Sequence, residues 1–264
     1  MSKKKFFVTR PRRPNLAKLI FGIIGVVLRN LYTNDGPRVR QLEREISTLT
    51  RVKYVVCMAN GTLPLIFLMS RHVPNSRIVT TPFSFVATSS AISNANHHPI
   101  WADIDGLTLN ISAAAVADIL NSEKVDAILA THVFGNLCDS SALGDLAKSH
   151  KIPLYYDAAH CMNSNFDNYD ILASADACTM SFHATKIFST GEGGALLTNN
   201  QDLAEAARVW RNFGISNGEI VSLGQNAKMS ELQAVLGLSN IRSVGAEIRR
   251  RAKLRKVYES ALRG

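Results

Sequence analysis

Tyr54-Val-Val-Cys-Met-Ala-Asn-Gly-Thr62 (YVVCMANGT) changes character within nine letters. It opens as a short run of aromatic and β-branched residues suited to a buried strand, turns at Asn60-Gly61, and leads into the apolar helical pattern Leu63 to Arg71. Strand, turn and helix in that order make the repeating unit of an α/β domain. Similar short apolar runs recur at Arg77 to Thr80, His98 to Trp101, Ala127 to Ala130, Leu154 to Tyr156, Ala177 to Met180 and Ala195 to Thr198. Helical patterns lie between several of them, at Val86 to Ala95, Ala113 to Asn121 and Ser141 to His150. The runs are almost wholly apolar, without polar residues at alternate positions, so both faces of the sheet are expected to be covered and its strands to be largely parallel. After about residue 200 the chain turns helical, with Leu203 to Trp210, Ser230 to Ile241 and a basic helix to the end.

The 264 residues, 46% hydrophobic and 19% charged, suffice for one large domain with or without an appendage. The apolar run Leu19 to Leu28, bounded by Lys18 and Arg29, is too short for a membrane span and reads as a helix that is either buried or laid on a protein surface. A basic start, Met1 to Lys5, precedes it as in a secretory signal, but no small-residue cleavage site follows. Cys57, Cys138, Cys161 and Cys178 are scattered without a C-x-x-C pair, so neither a metal site nor a disulfide framework is indicated, and a cytoplasmic location is expected. The net charge of +9 gathers in Lys3 to Arg13 and Arg249 to Lys256. A basic polyanion-binding protein would show such clusters, but no aromatic residues interleave them and no nucleic-acid module is present, so solvated helix faces are favoured over nucleic acid.

Functional groups in a parallel sheet collect in the loops that follow the carboxyl ends of strands. Asn60-Gly61-Thr62 in such a loop offers free backbone N–H groups, a helix N-terminus and a hydroxyl to a phosphate, although the same letters also suit a helix cap. Asp157 follows the run ending at Tyr156, where it would either cap a helix or hold a protonated ring nitrogen. Lys186 lies one strand further on, in Ser181-Phe-His-Ala-Thr-Lys-Ile-Phe-Ser-Thr-Gly-Glu-Gly-Gly194. A lysine in a cleft has its pKa lowered and can condense with a carbonyl. Phosphate loop, carboxylate and amine together meet the needs of pyridoxal 5′-phosphate. No G-x-x-x-x-G-K-[ST] or dinucleotide fingerprint competes with that reading. Gly191, Gly193 and Gly194 read either as a turn or, preferably, as backbone running close beside the cofactor.

These stretches give the chain a family likeness. It resembles the DegT/StrS-type nucleotide-sugar aminotransferases, of fold type I, in Val8-Thr-Arg-Pro11, Thr33-Asn-Asp-Gly-Pro37 with Leu42-Glu43, Asn60-Gly-Thr62, Thr81-Pro-Phe-Ser-Phe-Val-Ala-Thr88, Trp101-Ala-Asp-Ile-Asp105, His132-Val-Phe-Gly135, Asp157-Ala-Ala-His160, Ser181 to Gly194, and Asn226-Ala-Lys-Met-Ser-Glu-Leu-Gln-Ala234. The resemblance implies a mostly parallel seven-stranded sheet with helices on both faces, preceded by a helical segment at 1–50, spanning 51–235, and followed at 236–264 by a helix leading toward a small C-terminal domain largely absent from this chain. It implies that Lys186 holds pyridoxal phosphate through a Schiff base and then carries protons, and that Asp157 keeps the pyridine nitrogen protonated. His160 would lie by the phenolic oxygen and Phe85 on the ring face. Gly61, Thr62 and Ser181 would bind the phosphate, joined by Asn226 from the second subunit of a homodimer.

Lysine at position 186, where deoxygenating relatives have histidine, implies amino transfer from an amino acid, glutamate, to a nucleotide-linked keto-deoxysugar at C4. Such reactions build deoxysugars for lipopolysaccharide O-antigen and other surface polysaccharides. Relatives continue for about a hundred residues more, so a truncated paralogue that binds the cofactor or a full-length partner without turnover is the alternative expectation. Residue by residue, plainer readings remain: Phe85 as core, His160 and His183 as satisfied polar groups, Ser181 as a strand-end cap. Asn60 stands where serine is usual, and Gly22 and Gly25 are expected to weaken the first helix.

Overall fold

The computed structural model of the chain describes residues 13–163 and 170–262. The Val8 to Pro11 stretch and nearly all of the basic opening lie outside them. Seven strands form one sheet: β1 (Tyr54–Met58), β2 (Arg77–Thr80), β3 (His98–Trp101), β4 (Ala127–Thr131), β5 (Leu154–Asp157), β6 (Ala177–Ser181) and β7 (Gly194–Thr198). Their spatial order is β1-β7-β6-β5-β4-β2-β3. Only β7 runs against its neighbours, pairing antiparallel with both β1 and β6. The fold is therefore α/β with a mostly parallel sheet, as the apolar runs imply.

Those runs are continuous because each strand but the outer β3, which is only half-buried at Pro99 and Ile100, serves two cores. Val55 and Cys57 point to one side with Ile128, Tyr156 and Leu197, while Val56 and Met58 point to the other with Ile78, Leu129 and Leu196. The first side is covered by α2 (Pro37–Thr50), α5 (Ala113–Ser122), α6 (Ser140–His150) and α8 (Glu231–Asn240), the second by α3 (Thr62–Met69), α4 (Val86–Asn94) and α7 (Gln201–Trp210). A two-residue-strand hairpin, β8 (Ile215–Ser216) and β9 (Glu219–Ile220), lies between α7 and α8. The expected helices all form, with ends moved by one or two residues.

The first helix, α1 (Leu16–Arg29), lies on the surface. Only Val26 is buried, whereas Phe21 is 73% and Leu28 81% exposed. Its glycines have a packing use beyond the expected weakening of the helix: a Cβ on Gly22 would stand 2.5 Å from a methyl of Val235 on α8, so the bare backbone lets the two helices close. No helix among the described residues is long and apolar enough to cross a membrane. The last helix, α9 (Val244–Ala261), is largely exposed beyond its first turns. Some of its basic residues pair within the helix, Arg251 with Glu247 at 3.1 Å and Arg255 with Glu259 at 2.6 Å, which is the pattern of a solvated face.

β1 is an outer strand, and its free edge is closed by side chains. Glu43 of α2 accepts the Cys57 N–H at 2.8 Å; Arg211 donates to the Cys57 carbonyl at 2.7 Å and Arg208 to the Val55 carbonyl at 3.1 Å. The charges also neutralise one another, since Glu43 accepts from Arg208 at 2.9 Å and Arg211 at 2.8 Å, and Arg211 reaches Asp35 at 2.6 Å. Arg211 is 3% exposed, and the acidic partners together hold its guanidinium above its usual pKa. Removing it leaves the Cys57 carbonyl without its donor and the buried Glu43 carboxylate with Arg208 as its one remaining cation. Arg211→Met is expected to cost about 3 kcal/mol or more, read as a lowered urea midpoint with an unchanged slope.

Candidate active site

The carboxyl ends of β1, β4, β5 and β6 meet at one rim of the sheet, and antiparallel β7 brings its first residue, Gly194, to the same rim opposite Ser181 and Met58. A cavity of about 590 Å³ opens there. Its lining includes Gly61, Thr62, Phe85, Asp157, His160, Ser181 and Lys186, so all but one of the residues singled out in the sequence converge. The exception is Asn226, which is exposed, bridges to Asn212 and stands outside this cavity.

Asp157 ends β5 and is 4% exposed. One carboxylate oxygen accepts the Ala159 N–H at 3.1 Å and the other accepts the Thr88 hydroxyl at 2.8 Å. Lys186 lies in the loop between β6 and β7, which is fixed at both margins. Phe182 N–H donates to the Gly193 carbonyl at 2.8 Å, Thr190 N–H to the Phe182 carbonyl at 2.9 Å, and the buried rings of Phe182 and Phe188 meet edge to face at 4.9 Å. The lysine backbone itself donates to the His183 carbonyl at 2.9 Å. Burial lowers the Lys186 pKa against the opposing pull of Asp157, which leaves more free amine at a given pH than an exposed lysine would have.

Two local readings left open by the sequence are narrowed. Asn60 Oδ1 accepts the backbone N–H groups of both Thr62 and Leu63 at 3.0 Å, so the first turn of α3 is already capped and those two donors are not free. What faces the cavity for a phosphate is then the Thr62 and Ser181 hydroxyls around Gly61. The glycines after Lys186 also act differently from expectation. A Cβ on Gly194 would lie 2.5 Å from the Asn60 carbonyl oxygen and the Gly61 Cα, one on Gly61 2.8 Å from Ser181 Cβ, and one on Gly193 would collide with the Thr190 hydroxyl. The backbone closeness is between the strand ends, and Gly191, at φ +82°, takes the turn that was the second reading.

The aromatic and imidazole groups divide. Phe85 is 75% exposed at the cavity mouth, which excludes the core reading. His160 is exposed there too, its ring parallel to that of Phe134 at 6.5 Å, and burial and then Lys186 lower its pKa against Asp157. His183 is a satisfied polar group, its Nδ1 within 2.9 Å of the Thr185 hydroxyl and its Nε2 3.5 Å from Glu192.

Four side chains of the rim were not picked out in the sequence: Ser84, Thr88, Thr131 and His132. Ser84 and Thr88 sit inside the Thr81 to Thr88 stretch, where only the aromatic ring drew notice, and His132 opens the His132 to Gly135 stretch, where it was given no role. His132 is 1% exposed, lies against the Tyr156 ring at 4.2 Å, accepts the Cys138 N–H on Nδ1 at 3.1 Å, and has no partner on Nε2 among the described residues.

Known proteins share the sequence pattern and the fold. The sequence matches the DegT/DnrJ/EryC1/StrS aminotransferase family over residues 19–264. The chain belongs to that family. Among its relatives, the dTDP-4-amino-4,6-dideoxy-D-glucose transaminase of Shigella dysenteriae is 34% identical over 262 residues, covering 99% of this chain and 71% of that protein. The spore coat polysaccharide biosynthesis protein SpsC of Bacillus subtilis is 30% identical over 250 residues, covering 89% of this chain and 64% of its own length. Of solved structures, DesI, crystallised with its TDP-sugar product, superposes with a TM-score of 0.86 at 31% identity, over 92% of this chain and 62% of that one. This member of the family thus spans roughly two thirds of the length of its sugar-aminotransferase relatives.

Burial pushes the His132 pKa down to about 4 from 6.5. Between those values the unfolded chain binds a proton that the folded chain does not, so acidification through that window favours unfolding. Stability should fall by about 3 kcal/mol from pH 6.5 to pH 4 on this account. Urea midpoints measured across that range should show the loss in the wild type and a correspondingly flatter profile in His132→Asn.

Proposed function

We propose that this chain binds pyridoxal 5′-phosphate and moves an amino group from an amino acid, glutamate, to the C4 ketone of a nucleotide-linked 4-keto-6-deoxy sugar. The observation that carries the reading is the meeting of Lys186, Asp157 and the Thr62 and Ser181 hydroxyls in one cavity. The donor set suits the cofactor: an anion fixed by two hydrogen bonds, an amine biased toward its neutral form, hydroxyls for a phosphate, and an exposed aromatic face at Phe85. Membership of the family and the relatives' own names support the sugar substrate, and the Shigella protein's name places its amino group at carbon 4. Glutamate as donor rests on the family resemblance alone.

When bound, pyridoxal phosphate supplies a carbonyl for the amine and a ring that draws electrons from the reacting carbon. The chain's own residues do the rest. Lys186 would hold the cofactor through Nζ as the free amine and, once the amino donor has displaced it, would take and return the proton at the reacting carbon, a task for which a lowered pKa suits it. Asp157 would present its remaining lone pairs to the ring nitrogen and keep a proton there. Thr62 and Ser181 would bind the phosphate, Phe85 would cover one ring face, and His160 would flank the phenolic oxygen.

Asn226 completes the phosphate site of a second copy in this reading, and the exposed apolar face of α1 supports a homodimer. The large domain then runs over 51–235, with the preceding helices and the final helix as its flanks.

Added pyridoxal phosphate should give folded protein an absorption band of the lysine-bound cofactor, and Lys186→Ala should lack it. Its absence from the wild type overturns the proposal. Asp157→Ala should keep the band and lower transfer to a 4-keto-6-deoxy sugar nucleotide by about a hundredfold or more. For the shared site, mixing Lys186→Ala subunits with Asn226→Ala subunits should restore activity that neither has alone, because one cavity of the hybrid regains both groups. No recovery would place Asn226 in its own chain's site or in none.

A further inference from the structure

Asp157 is the last member of a hydrogen-bonded series that begins on another strand. Its Oδ2 accepts the Thr88 hydroxyl at 2.8 Å, Thr88 Oγ1 is 2.7 Å from Ser84 Oγ, and Ser84 Oγ is 3.0 Å from Thr131 Oγ1. The three hydroxyls come from α4, from the loop after β2 and from the end of β4, and Thr131 stands in register with Asp157 on the neighbouring strand.

A hydroxyl has one proton to give. Thr88 gives its proton to Asp157, so in its contact with Ser84 it accepts. Ser84 has then spent its proton on Thr88 and accepts from Thr131. The direction of every link follows from the first, and all three O–H bonds point toward the carboxylate. Thr88 is 1% exposed, so bulk water does not replace its bond. With Oδ1 tied to the Ala159 N–H at 3.1 Å, both oxygens are fixed, and the plane of the carboxylate is set relative to the cavity it lines.

We propose that Thr131, Ser84 and Thr88 form a one-way chain of hydroxyl donors that positions the Asp157 carboxylate for the ring nitrogen of pyridoxal phosphate, with Thr88 as the decisive link. This rests on the cofactor reading given above. Thr88 is a positioning residue: it touches neither cofactor nor substrate and acts through Asp157. An interaction of this kind reaches the cofactor only through the pyridine nitrogen, whereas a hydroxyl that merely packs the start of α4 would affect the whole pocket.

That difference sets the experiment, which compares binding of pyridoxal phosphate with binding of 1-deaza-pyridoxal phosphate, whose ring has carbon in place of nitrogen. Thr88→Val keeps the shape and removes the donor. It should weaken pyridoxal phosphate roughly tenfold, as expected for a lost hydrogen bond to a charged group, and leave the deaza compound within about twofold. Thr88→Ser should bind both as the wild type does. Ser84→Ala, which cuts the chain one link earlier, should show a smaller loss with the same selectivity and serves if Thr88→Val does not fold. Equal loss of both compounds, or loss of neither, in Thr88→Val and Ser84→Ala overturns the chain. Wild-type protein that binds neither compound overturns the cofactor reading itself, a separate result.

Discussion

The free edge of β1 is the constraint on which much of the architecture rests. An outer strand presents unpaired N–H and C=O groups that water or another chain would otherwise take. Here Glu43, Arg208 and Arg211 take them, and in doing so they attach α2 and α7 to the strand through ionic hydrogen bonds. The arrangement is self-consistent only if all members are present, because each charge is matched by another inside the same buried cluster. It also fixes the strand whose continuation, Ala59 to Gly61, forms one wall of the cavity. Glu231 secures the other end of α2 in a similar way, accepting the Arg38 and Val39 N–H groups at 3.0 and 2.9 Å.

The antiparallel course of β7 has a second effect at the same rim. A purely parallel sheet would send every strand end into a loop and helix, whereas β7 returns directly along β6 and closes the Lys186 loop against the sheet. Lys186 thereby lines the same cavity as Asp157, whose backbone is held by the residue after β4, since His132 N–H donates to the Asp157 carbonyl at 3.0 Å. Opposite charges, small residues and the hydroxyls of Thr62 and Ser181 fit within one rim because Gly61 and Gly194 allow three strand ends to approach closely.

The sheet was legible because a strand buried on both faces must be apolar at consecutive positions, and Tyr54 to Met58 or Ala127 to Ala130 admit few other readings. Asp157 and Lys186 were legible through their place after strands and through the conjunction of their chemistries. Contacts between distant letters were not. Thr88 meets Asp157 across 69 positions and Ser84 meets Thr131 across 47, and nothing local to a threonine or serine announces a partner so far away. Asn60 left two readings open for a different reason: an asparagine before Gly-Thr is compatible with an open turn and with a self-capped one, and only the rotamer, here the capped one, decides. For Gly194 the cofactor reading was preferred because its actual neighbour, the Asn60-Gly61 backbone, lies far earlier in the chain.

Asn60 has one more consequence. A loop that awaits a ligand to satisfy its amides is disordered or strained until the ligand comes, and part of the binding energy is then spent on ordering it. With Thr62 and Leu63 already engaged, the first turn of α3 is wound and the Thr62 hydroxyl is in place before any phosphate arrives. In the proposed role, capture of an anion here would be a docking event on a rigid seat, governed by encounter and desolvation, with no folding of the receptor attached to it.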